Sequence, residues 1–123
     1  MEYSIEYHPD NSYVRLTLQG EASLAEFEQA RSDARNQLAR HQTNCLLVDS
    51  RQLTTTITTF ELFQFNSSHG TNHPQGVRIA GLVRDDQMED GLFSENVAQN
   101  RGVMMKMFTD SETAVAWLSG QTD

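Results

Sequence analysis

The chain has 123 residues and no Pro/Ser/Gly-rich stretch divides it, so residues 1–123 are predicted to form one domain with its own core. Its 17 acidic and 9 basic residues give a formal charge of −8, which opposes binding to nucleic acids and to anionic membranes. The single cysteine, Cys45, excludes an internal disulfide framework. With no signal peptide and no apolar run near ~20 residues, the sequence indicates a cytoplasmic protein without membrane insertion.

The N-terminal part of the sequence predicts a β-hairpin followed by a helix. Apolar and polar residues alternate over residues 3–7 and 13–18, which is the period of two strands with one solvated face. Ser23 and Glu26 then have the spacing of a capping box, and the apolar residues that follow recur every three or four positions to about His41. The residues on this apolar stripe are Leu24, Phe27, Ala30, Ala34 and Leu38.

Three short apolar runs predict strands that are covered on both faces. They span residues 45–48, 77–83 and 103–108. Asp49 falls at the carboxyl end of the first run, where α/β proteins place binding residues, so it is a candidate binding residue. The alternative is that Asp49 only caps the loop that follows it.

Helices are predicted between and after these strands. Thr58 and Glu61 have capping-box spacing, and a helix to about Ser68 is predicted. A third helix is expected within residues 89–101, and a fourth after a capping box at residues 109–112. The order ββαβαβαβα requires right-handed crossovers. It predicts an α/β fold with a single mixed, mostly parallel sheet of about five strands and about four helices.

The segment after Thr59 carries apolar residues in two directions. At about 100° per residue, Phe60 and Phe63 point one way, and Leu62 and Phe65 point roughly opposite. A helix that lies on a sheet needs only one apolar stripe, so the second pair should meet another subunit, a ligand or a covering loop. We therefore predict that these four residues form an interface or line a ligand site, with the covering loop as the alternative.

His69 and His73 have the four-residue spacing of two metal ligands on one helical face. Gly70 and Pro74 oppose a regular helix at this point, and zinc would need a third protein ligand that is not apparent nearby. The sequence therefore favours two solvated loop histidines and no metal site. It also contains no phosphate loop, nucleophile elbow or dinucleotide fingerprint, so an enzyme and a bound cofactor are not expected.

The order of elements, together with four stretches of sequence, resembles the STAS / SpoIIAA-like family, specifically its STAS/SEC14-like branch. The stretches are Gly20-Glu21, Leu47-Val48-Asp49, residues 78–83 and residues 108–118, the last ending in Ala-Trp-Leu. Members act as anti-sigma-factor antagonists, as cytoplasmic domains of anion transporters or as sensors. The resemblance implies a non-catalytic regulatory or protein-interaction module, here a homodimer through the Phe60–Phe65 helix. The alternative it implies is a carrier of a small apolar ligand or lipid, of the SEC14-like kind.

The resemblance also implies a phosphorylation site. In the antagonists a phosphorylated serine lies in an Asp-Ser-Ser-Gly-Leu stretch shortly after the strand-end aspartate. The matching residues 57–61 read Ile-Thr-Thr-Phe-Glu, which keeps two hydroxyl groups and lacks the acid and the glycine. Thr58 and Thr59 are therefore the candidate phospho-acceptors, at a helix N-terminus whose backbone N–H groups favour a phosphate.

Overall fold

The computed structural model describes residues 1–120. A five-stranded sheet runs in the spatial order β1-β2-β3-β4-β5, with β1 antiparallel to β2 and every other pair parallel. The strands are β1 Glu2–His8, β2 Tyr13–Gly20, β3 Cys45–Leu53, β4 Arg78–Leu82 and β5 Met104–Phe108. The predicted single mixed, mostly parallel sheet is confirmed.

The helices follow the predicted order with one addition. They are α1 Leu24–Arg40, α2 Thr59–Ser67, α3 His69–Asn72, α4 Met88–Asn100 and α5 Ser111–Leu118. The addition is the single turn α3, so the described residues form five helices where about four were expected. The N-cap of the last helix is Asp110, one residue later than the capping box at residues 109–112 predicts, because the Asp110 carboxylate accepts the hydrogen bond from the Thr113 backbone N–H at 2.9 Å.

The two faces of the sheet are covered differently, because successive strand side chains point to opposite faces. On one face, α1 and α4 pack against the strands through small residues such as Ala30, Ala34 and Ala98. On the other face, α5 packs Trp117 and Leu118 over β3, β4 and β5. Helix α2 contacts α1 and α4 and lies across them instead of resting on the strands.

Strand β3 is longer than predicted. The predicted apolar run ended at Val48, but β3 continues to Leu53, which pairs with Gly20 at the end of β2. The alternation continues past Val48, so Ser50 lies on the α1/α4 face and Asp49 on the α5 face. The register with β2 then shifts between Thr17 and Gln19, which returns Leu53 to the α1/α4 face.

Candidate functional site

A cavity of about 390 Å³ lies between the sheet and α2, with α1 and α4 at its sides. It exists because α2 rests on the two flanking helices, which leaves space above the strands. Val48 is half-buried although it lies in the central strand, because its side chain borders this space. Strand residues on the floor include Leu16, Leu46, Val48, Ile79, Met105 and Met107.

The cavity opens at the carboxyl ends of the parallel strands. Its lining there consists of exposed residues of the two connections that follow β3 and β4, including Thr54, Thr55, Arg84 and Asp86. Open α/β sheets bind ligands outside this edge of the sheet. The position of the mouth is therefore the one expected for a binding site in this fold class.

Two glycines let Met107 lie over the cavity floor. A Cβ on Gly81 would collide with the sulfur of Met107, and a Cβ on Gly91 would lie 3.1 Å from the same atom. Gly91 does not break its helix, since α4 runs through it to Asn100. The methionine side chain is flexible, so this part of the cavity floor can adjust to a bound ligand.

The inner end of the cavity holds a polar network. The Arg31 guanidinium donates to the Phe65 carbonyl at 2.8 Å and contacts His69 Nδ1 at 3.4 Å. His69 Nε2 lies 2.9 Å from Asn66 Oδ1, and Asn66 Nδ2 donates to Ser94 Oγ at 2.9 Å. Because the Asn66 amide nitrogen is donating, its oxygen accepts from His69, which assigns the proton of a neutral His69 to Nε2.

Both histidines of this network region are buried, so the expectation of solvated loop histidines is wrong. His69 is 4% exposed and His73 is 7% exposed. Gly70 fits inside the one-turn helix α3, and Pro74 lies two residues beyond its last residue, Asn72, so neither opposes the turn. The His73 backbone N–H closes the turn on the His69 carbonyl at 3.0 Å.

Burial keeps these imidazoles neutral. It lowers the pKa of His69 well below its ordinary value, and the neighbouring His73 and Arg31 lower it further. Burial, together with the charges of Arg31 and Arg35, lowers the pKa of His73 to about 4. Elsewhere within residues 1–120, no three histidine, cysteine or carboxylate side chains come together as metal ligands.

The four apolar residues predicted on α2 separate into two pairs. Leu62 and Phe65 line the cavity, where the Phe65 ring lies 4.3 Å under the Arg31 guanidinium. Phe60 and Phe63 are on the outer face and are 68% and 42% exposed. The same short helix therefore roofs the cavity with one side and presents aromatic rings to solvent with the other.

Thr58 and Thr59 lie at the N-terminus of α2. Thr58 is the N-cap: its hydroxyl accepts from the Glu61 backbone N–H at 3.1 Å, and Glu61 Oε1 accepts from the Thr58 N–H at 3.0 Å. Thr59 is exposed as the first residue of the helix. A phosphate on Thr58 would therefore replace an existing cap, whereas one on Thr59 would not.

Asp49 lies on the face of the sheet opposite the cavity. Asp49 is 3% exposed, and its carboxylate accepts from Arg15 Nη2 at 2.7 Å and from Arg51 Nη2 at 2.9 Å. The Arg51 backbone N–H also donates to it, at 3.1 Å. Burial raises the pKa of Asp49, but the hydrogen bonds and charge of Arg51, together with the charge of Arg15, outweigh it, and the net effect is a lowered pKa.

Three polar residues of the inner network were not predicted as site residues, although two of them left a signal. Arg31 lies four positions after Phe27, on the apolar stripe of α1. Asn66 lies four positions after Leu62, on the inward stripe of α2. A polar residue on an apolar stripe marks a buried polar group that needs partners. Ser94 carried no comparable signal.

The architecture defines the class of protein. The sheet is mixed, with one antiparallel strand; α2 bridges α1 and α4 over one face, and α5 covers the other. This arrangement is the SpoIIAA-like fold. The sequence model of the SpoIIAA-like family matches residues 13–119, and the chain belongs to this family. The predicted resemblance to the SpoIIAA-like family is thereby confirmed. No curated protein matches the chain. Within residues 1–120, no helix combines the length and the apolarity needed to cross a bilayer.

Two solved structures are similar to this chain. An anti-sigma factor antagonist from Mycobacterium paratuberculosis has a TM-score of 0.68 at 11% identity, over 95% of this chain and 92% of that one. An uncharacterised protein with a SpoIIAA-like fold from Shewanella loihica PV-4 has a TM-score of 0.62 at 20% identity, again over 95% and 92% of the two chains. At these identities the likeness shows the fold alone.

Proposed function

We propose that the chain is a non-catalytic regulatory module that binds a protein through the outer face of α2. The observation that carries this proposal is the exposure of Phe60 and Phe63 on a helix whose other side is already buried. Exposed aromatic rings grouped on one surface are typical of interaction sites, and aromatic residues dominate the energetics of interfaces. The likeness in fold to an anti-sigma factor antagonist supports a protein partner.

A second copy of this chain is the partner that we propose. The chain carries a formal charge of −8, which opposes self-association in general. The outer face of α2 avoids this repulsion, since Glu61 is the only charged residue among Thr59–Ser67. The interface would therefore be an apolar patch on an otherwise acidic protein.

Sedimentation of the double variant Phe60→Asp/Phe63→Asp tests this interface. We expect the wild type to sediment as a dimer and the double variant as a monomer with unchanged circular dichroism, because four added carboxylates would face each other across the two-fold axis. Met104→Asp is the matched control, since Met104 is an exposed apolar residue on β5. A wild type that stays monomeric, or a double variant that still dimerises, contradicts the proposal.

A second candidate function is the binding of a small apolar ligand in the cavity. The volume of about 390 Å³ falls within the range of roughly 300–1,000 Å³ that is typical of small-molecule sites. A solidly packed core would have argued against this function. A ligand below α2 and a partner above it would contact the same helix, so occupancy could regulate partner binding.

Filling the cavity tests whether this space is available. Val48→Phe is expected to change the free energy of unfolding by less than about 1 kcal/mol, because the larger side chain enters open space. Leu47→Phe, on the next residue and the opposite, fully packed face, is expected to cost about 1–3 kcal/mol. Urea unfolding measures both. Equal costs for the two variants would show that the cavity is not usable space.

A further inference from the structure

We propose that the cavity takes an amphipathic anion, a carboxylate on an apolar chain, with the Arg31 guanidinium as the counter-charge for the carboxylate. This inference rests on the ligand-binding candidate function and names the class of ligand. The evidence for this inference is the presence of hydrogen-bond donors at the inner end of the cavity, acidic residues at its mouth and apolar residues between them.

The first observation is a buried cation without an ion-pair partner. Burial lowers the pKa of Arg31, and Glu28 on the same helix opposes this effect by its charge but does not reach ion-pair distance. Arg31 is 5% exposed and lines the cavity. Its hydrogen-bond partners are all neutral: the Phe65 carbonyl, Ser68 Oγ at 2.9 Å and His69 Nδ1. Within residues 1–120, no carboxylate lies at ion-pair distance from it. A buried charge is costly unless it is paired, and a bound carboxylate would pair it.

The second observation is a buried polar atom without a hydrogen-bond partner at the same end of the cavity. His73 also lines the cavity, and among the described residues its buried Nδ1 has no hydrogen-bond partner. Its ring lies 5.5 Å from that of His69. A neutral imidazole with its proton on Nδ1 donates one hydrogen bond, so His73 can donate to a carboxylate oxygen. Arg31 and His73 thus offer donors of the kind that an anion needs.

The mouth of the cavity is unsuited to the anionic end of a ligand. Asp86 and Asp90 line it, and Arg84 is already paired there with Asp86, with Nε and Oδ1 2.9 Å apart. The carboxylate would therefore lie at the inner end beside Arg31. The apolar chain would run over Leu46 and Val48 toward the mouth, against walls that include the adaptable Met107.

Calorimetric titration with decanoate and with decanol tests the proposal, because the two probes share a chain and differ in the charged end. We expect the wild type to bind decanoate at least about tenfold more tightly than decanol, since a carboxylate paired with a buried guanidinium makes charge-assisted hydrogen bonds. Arg31→Met is expected to retain decanol binding and to lose this preference. Arg40→Gln removes an exposed arginine from the last turn of the same helix, and this variant is expected to keep the preference for decanoate.

His73→Leu is a second variant, and it leaves every hydrogen bond of Arg31 in place. We expect this variant to bind decanoate several-fold more weakly than the wild type and to bind decanol equally well. Equal affinity of the wild type for both probes overturns the inference while leaving the cavity as an apolar ligand site. So does an undiminished preference in Arg31→Met or in His73→Leu. Failure of the wild type to bind either probe overturns both the inference and the ligand-binding function.

Discussion

Asp49→Ala should lower the free energy of unfolding by about 2–3 kcal/mol. Removing one partner of a buried ion pair typically costs about 3–5 kcal/mol, because the other charge is left buried. The cost here is smaller, since the side chains of Arg15 and Arg51 are 20% and 36% exposed and can regain water. Urea unfolding at pH 7 measures the change.

Asp86→Ala is the matched control for Asp49→Ala. Asp86 also pairs with an arginine, Arg84, but both groups are exposed. Its replacement should cause no resolvable loss of stability, because solvent screens such a pair. If the two variants are equally stable, the carboxylate of Asp49 is not held as a structural group, and it regains its place as a candidate binding residue.

Acidification from pH 7.5 to 5 should cost about 2 kcal/mol of stability through His73 alone. The pKa of His73 is about 4 in the folded protein, against 6.5 for the unperturbed group. Between these values the unfolded chain binds a proton that the folded chain does not, so stability falls as the pH is lowered through this window. His69 acts in the same direction, because its pKa is also lowered. Urea unfolding at several pH values measures the slope.

Two variants separate the histidine contribution from that of the carboxylates. His73→Leu should reduce the stability change between pH 7.5 and 5 by about 2 kcal/mol, because the imidazole with the folded pKa of about 4 is gone, and the remaining dependence is that of His69. Asp49→Asn should leave this window unchanged, since the folded pKa of Asp49 is below 3.8 and its contribution is lost only at lower pH. An unchanged slope in His73→Leu would contradict the burial of this imidazole.

Local patterns predicted most of the elements, because hydrophobic period and capping residues act over a few neighbouring positions. The capping box at Thr58 and Glu61 formed as its spacing indicated. The opposite directions of the two apolar pairs on α2 likewise follow from helical geometry, and their burial agrees. Local signals mislead where packing overrides them: Gly70 and Pro74 predict no regular helix at this point, yet α3 forms a helical turn that includes His69 and Gly70.

The sequence by itself determined the α/β order and the two-sided character of α2, since each depends on periodicity within one segment. The order of elements then implied the mixed sheet, because consecutive βαβ units require parallel strands. The tertiary structure decided that α2 bridges α1 and α4 above a cavity, that His69 and His73 are buried, and that Asp49 is paired on the opposite face. These features depend on contacts between residues far apart in the chain, such as Arg31 with Phe65 and Arg15 with Asp49. Such contacts arise only when separate elements pack, so no pattern within one segment encodes them.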